Sequence, residues 1–131
     1  MKKMKSAGLF VVVLVALVST GAFTQTKKKA GPCDSATTQV DLDECTGKEY
    51  KAADAQLNKV YNQLMSKLEG EHKTKLKDAE LAWIKYRDAN CDCATFLNLG
   101  GTIYPTVNNI CLTTMTINRI KELKGILDDV K

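Results

Sequence analysis

Leu81-Ala82-Trp83-Ile84-Lys85-Tyr86-Arg87-Asp88-Ala89-Asn90-Cys91 holds the only tryptophan of the chain, one of its two arginines and one of its five cysteines. Leu76, Ala79, Trp83 and Tyr86 recur at intervals of three or four, which on a helix places them on one face. Arg87 sits beside that face. Drawn inward, its guanidinium needs a carboxylate or carbonyl partners, because a buried unpaired charge is very costly. Cys91 follows one turn later and can tie the helix end to another segment. The stretch therefore reads as the central helix of a small, disulfide-stapled, all-α domain of three helices.

Upstream, Leu42, Cys45, Ala52, Ala53, Leu57, Val60, Tyr61, Leu64 and Leu68 keep helical spacing. The first helix is expected from about Gln39 to Leu68, with an N-cap from Thr37-Thr38. Asp41, Asp43 and Glu44 lie at its start, where they favour the positive end of the helix dipole. Gly70 reads as its C-cap. The second helix runs from near Glu71 to Ala94 or Phe96, with Lys73, Lys77, Glu80 and Lys85 on its exposed face. Gly100-Gly101 marks a break. The third helix starts at Pro105 or a little later and reaches about Asp128, with Leu112, Met115, Ile120, Leu123, Ile126 and Leu127 as its apolar positions.

A short turn at Gly70 makes the first two helices a long antiparallel hairpin. Residues equidistant from the turn then face each other. Asp54 lies sixteen residues before Gly70 and Arg87 seventeen after it, which predicts an Asp54–Arg87 ion pair. Trp83 is expected in the core between helices one and three.

The start of the chain has another character. A basic Met1–Lys5 segment, an apolar run from Leu9 to Val18 and small residues to Ala22 have the form of a signal peptide over residues 1–22. Residues 23–36 are polar, contain Lys27-Lys28-Lys29 and Gly31-Pro32, and read as a flexible lead-in to a helical domain over 37–131. The apolar run is short for a spanning helix, which needs about 20 residues, so no stable membrane anchor is expected after cleavage. The whole chain carries +4, but residues 33–131 hold 13 basic against 15 acidic side chains, a net −2. That balance argues against a nucleic-acid partner, which wants a basic face.

Cys33, Cys45, Cys91, Cys93 and Cys111 behind an export signal imply disulfides. Four of them, Cys33, Cys45, Cys91 and Cys111, can pair in three ways. Counting along the hairpin puts Cys45 about one turn beyond the level of Cys91, so Cys33–Cys91 and Cys45–Cys111 are preferred, with Cys93 as the odd thiol or in the place of Cys91. Cys91-Asp92-Cys93 lacks the spacing of a structural zinc site and His72 is the only histidine, so no metal is expected. With no Ser–His–Asp set and no phosphate loop either, no cofactor and no catalytic residues are expected.

Several motifs, in order, resemble one family. Cys33-Asp34, Thr37-Thr38-Gln39 and Cys45 are similar to its opening, and Ala53-Asp54-Ala55-Gln56-Leu57-Asn58 with Tyr61 to its first helix. Ala82-Trp83, Tyr86-Arg87-Asp88 and Cys91 resemble its centre. Gly100-Gly101-Thr102-Ile103, Cys111-Leu112, Thr116 and Arg119 resemble its close. This is the LprI-type lysozyme inhibitor family of bacterial envelope proteins. The resemblance covers about residues 33–127. It implies a helical protein with four matching cysteines, a periplasmic or secreted location, a lysozyme as protein partner and protection of peptidoglycan, not an enzyme. Cys93 departs from the pattern, and so does the absence of a lipidation cysteine after the apolar run.

Candidate contact residues for a basic lysozyme are Asp41, Asp43 and Glu44, or Ile103 and Tyr104 in the Gly100–Pro105 loop. Asp54, Trp83, Tyr86 and Arg87 are assigned structural roles. The opposing readings are an enzyme using carboxylates such as Asp54, Glu80 and Asp88, and a structural or chaperone-like envelope binding protein without inhibitory activity.

Overall fold

The computed structural model describes residues 31–130. The signal-peptide reading over residues 1–22 and the Lys27–Lys29 part of the lead-in lie outside the described residues. Helix α1 spans Gln39–Lys67, α2 Gly70–Thr95 and α3 Tyr104–Asp129, with one 3₁₀ turn at Phe96–Asn98. No strand occurs among the described residues.

The local chemistry explains the boundaries. Thr38 is the N-cap of α1 and closes a capping box with Asp41. The Thr38 hydroxyl accepts from the Asp41 N–H at 3.1 Å, and the Asp41 carboxylate accepts from the Thr38 N–H at 3.2 Å. The turn to α2 differs from expectation. Leu68 is the C-cap of α1 in an extended conformation, and Gly70 opens α2 with φ of +50°. Glycine suits that position because φ in this region strains residues bearing a Cβ. Gly100 takes φ of +78° and turns the chain toward α3, whose first turn carries Pro105.

The helices form an up-down-up bundle. α2 returns antiparallel to α1, so α3 runs parallel to α1. Gln39 donates to Thr106 near one end, and Leu57, Val60 and Leu64 pack with Ile120 and Leu123 toward the other. The α1 and α3 backbones approach closely, whereas α1 and α2 stand further apart and meet through side chains.

The apolar core lies in the half of the bundle nearest the α1–α2 turn. Leu57, Val60, Leu64, Leu76, Ile120 and Leu123 build it, with Tyr61, Met65, Leu68, Trp83 and Leu127 at its margin. The opposite half buries Thr46, Thr95, Thr106 and Cys91. It is held by Cys33–Cys45 and Cys91–Cys111.

That pairing corrects Cys33–Cys91 and Cys45–Cys111. The lead-in folds back along α1, so Cys33 meets Cys45 with Cα atoms 5.8 Å apart, inside the range a bridge tolerates. Because α2 and α3 are antiparallel and joined by a short loop, Cys91 and Cys111 face each other at 5.7 Å. Cys93 is a free, exposed thiol.

Candidate functional site

Two features stand out from the bundle: a cluster of charged and aromatic residues around Trp83, and the pole where α2 ends and α1 and α3 begin.

The cluster is built on the inner stripe of α2, which is Leu76, Glu80, Trp83, Arg87 and Cys91. It is rotated from the expected Leu76, Ala79, Trp83, Tyr86 stripe. Ala79 is exposed and Tyr86 is 62% exposed, whereas Glu80 is buried rather than on the solvent face. Hydropathy points the other way, but each buried charge has a partner. Arg87 is 6% exposed. Its Nη2 and Nε lie 2.7 and 2.8 Å from Asp88 Oδ1. Its Nη1 lies 3.7 Å from Asp54 Oδ1, so hairpin register does bring these two side chains together. Arg119 Nε pairs with Glu80 Oε2 at 3.0 Å, and Nη1 with Glu122 Oε2 at 2.9 Å.

Both guanidiniums lie over Trp83, at 5.2 Å for Arg87 and 5.8 Å for Arg119 from the ring centroid. Arg87 also lies 5.5 Å from the Tyr50 ring. Such contacts contribute about 0.5–2 kcal/mol depending on desolvation. Trp83 is thus a half-buried platform at the edge of the core rather than a fully buried core residue. Burial pushes the Tyr50 hydroxyl above its ordinary pKa, against the opposing pull of Arg87. No group of three metal-ligating side chains occurs among the described residues.

At the pole, the three candidate acids are engaged within the protein. Asp41 closes the capping box, and the Thr38 side-chain hydrogen bond holds its carboxyl below the usual range. Asp43 accepts from Gln39 at 2.8 Å and from the Thr106 hydroxyl, joining the starts of α1 and α3. Glu44 pairs with Lys48 at 2.7 Å on the exposed surface. Asp41 and Asp43 are therefore also tied into the ends of α1 and α3, so a substitution there touches folding contacts as well as the surface.

The Gly100–Pro105 loop lies at this same pole, because Asp43 and Gln39 bond to Thr106 just beyond it. Ile103 is exposed, while Tyr104 is half-buried as the first residue of α3. Sequence reasoning missed the larger part of the surface. Phe96, Leu97 at 83% and Leu99 all face outward from the 3₁₀ turn. The available signal was three apolar residues within four positions, directly past the end of a helix. The Cys91–Cys111 bridge fixes the base of this apolar segment. No described helix is long and apolar enough to cross a membrane.

Residues 32–123 match the family model described as "Lysozyme inhibitor LprI". An uncharacterised protein of Rhizobium meliloti (strain 1021) is 34% identical, with 76% of this chain and 81% of that protein covered. No solved structure matches.

Proposed function

The chain belongs to the LprI lysozyme inhibitor family, and from that premise we propose that it binds a lysozyme and protects peptidoglycan from hydrolysis. The contact surface in this reading is the exposed apolar pole of Phe96, Leu97, Leu99 and Ile103. This pole is the observation that carries the proposal. A small domain leaves such a cluster in water at a cost in solubility, and contiguous exposed apolar surface marks interaction sites. The disulfide at its base pre-organises the segment, which lowers the entropy lost on binding. The net −2 of residues 33–131 complements a basic enzyme and mainly accelerates encounter.

The protein acts as a stoichiometric binder, not an enzyme. Its two disulfides suit an oxidising compartment, so the proposed location is the periplasm or the exterior.

Lysozyme inhibition by the purified, oxidised protein is the test. Phe96→Ser and Leu97→Ser should each raise the concentration needed for half-inhibition by about ten-fold or more, the loss expected of a central apolar contact. Glu44→Lys should slow association, with a smaller effect at high salt. Full lysozyme activity at large molar excess, with every lysozyme type tried, would refute the proposal and favour an envelope-binding role without inhibition.

A further inference from the structure

A groove separates α1 from α2 along the side of the bundle, away from the apolar pole. It encloses about 230 Å³ and is walled by Leu57, Tyr61, Leu81 and Ile84. That is smaller than the roughly 300–1,000 Å³ of most small-molecule sites and suits a single side chain. Glu80 and Asp54 line the same groove. The Glu80 side chain is 10% exposed and uses Oε2 for Arg119, while its Oε1 is buried with no hydrogen-bond partner in the protein. A carboxylate oxygen removed from water without a donor is unfavourable, so an incoming donor gains more here than at the surface.

The charge balance has the same sign. Asp54, Asp88, Glu80 and Glu122 surround only two guanidiniums, those of Arg87 and Arg119. Lys77 stands exposed at the rim without an ion pair among the described residues. Even counting it, one negative charge is left over.

We propose that this groove binds an arginine side chain presented by a protein partner. The aliphatic stem lies against Leu57, Leu81 and Ile84, and the guanidinium donates to the Glu80 carboxylate with Asp54 alongside, a small rotation of that carboxylate bringing the buried Oε1 to the groove. Arginine fits better than lysine because two carboxylates flank the groove and a planar fork can serve both. The inference does not depend on the lysozyme reading, since it concerns a different face and names only the side chain recognised.

The probe is N-acetyl-arginine methylamide, titrated into the oxidised, isotopically labelled protein and followed by amide chemical shifts. Saturable shifts are expected at Leu57, Tyr61 and Ile84. The neutral isostere N-acetyl-citrulline methylamide should bind about ten-fold more weakly or worse, as expected for loss of a charge-assisted hydrogen bond. Glu80→Gln should weaken the arginine probe by a similar factor, and Lys77→Met should tighten it by removing a like charge. Leu81→Arg, at a half-exposed position, keeps the Glu80–Arg119 pair and should abolish probe binding by filling the groove with the protein's own guanidinium. Shifts that fail to saturate, that are equal for the citrulline probe, or that persist unchanged in a folded Leu81→Arg variant would each overturn the proposal.

Discussion

The half of the bundle beside the α1–α2 turn and the half at the opposite pole are held together differently. The turn half packs Leu57, Val60, Leu64, Ile120 and Leu123 into an apolar core. The pole half keeps Phe96, Leu97, Leu99 and Ile103 outside and buries threonines instead. Side chains left in water add nothing to folding, so cohesion at the pole falls to two disulfides and a polar lattice of Thr38, Asp41, Gln39, Asp43 and Thr106. The difference teaches that a small domain can leave apolar surface available for a partner if covalent links replace the missing core, and small exported domains lean on disulfides for this reason.

Truncating the core should have the largest effect on this contrast. Leu123 is fully buried, and Leu123→Ala should cost about 4 kcal/mol, read as a lower urea midpoint with amide exchange accelerated throughout the bundle. Replacing Cys91 and Cys111 together by serine should cost about 3 kcal/mol, in line with a bridge spanning 20 residues. Its signature should be regional: amides at the pole lose protection first, while those around Leu64 and Leu123 keep theirs. Uniform loss of protection would mean that the two halves are a single cooperative unit.

Capping should matter less. Thr38→Ala should cost about 1 kcal/mol. The lowered pKa of Asp41 adds a pH dependence of defined sign. Its stabilising contribution is complete above the ordinary aspartate range and disappears as the pH falls through the depressed value. Acid melts of wild type and Thr38→Ala should therefore converge, because the hydroxyl supplies the main hydrogen bond that lowers this pKa. The smallest stability change is expected at the pole surface itself. Leu97→Ser should alter the melting free energy by no more than about 0.5 kcal/mol while impairing inhibition. A large destabilisation would show that Leu97 belongs to the folding unit rather than to a free surface.

Much of the architecture was already present in the residue order. Helical spacing from Leu42 to Leu68, the Thr37-Thr38 cap signal, Gly100-Gly101 and Pro105 locate three helices to within a few residues, because caps, breakers and periodicity are local properties of the chain. The hairpin at Gly70 and the proximity of Asp54 to Arg87 follow from counting across a short turn. The motifs around Cys33, Trp83, Arg87 and Cys111 carry the family. Local pattern could not give the rotation of α2. Hydropathy assigns Glu80 to water and Tyr86 inward, and the reverse arrangement is stable because α3 supplies Arg119 to the buried Glu80, while Asp88 and, at longer range, Asp54 of α1 hold the buried Arg87. Disulfide choice was likewise tertiary, since the fold-back of the lead-in and the antiparallel meeting of α2 with α3 determine which sulfurs come within reach. The apolar pole also needed the folded chain. Phe96, Leu97 and Leu99 could as well have been core, and only the 3₁₀ turn, acting with Gly100, directs them outward.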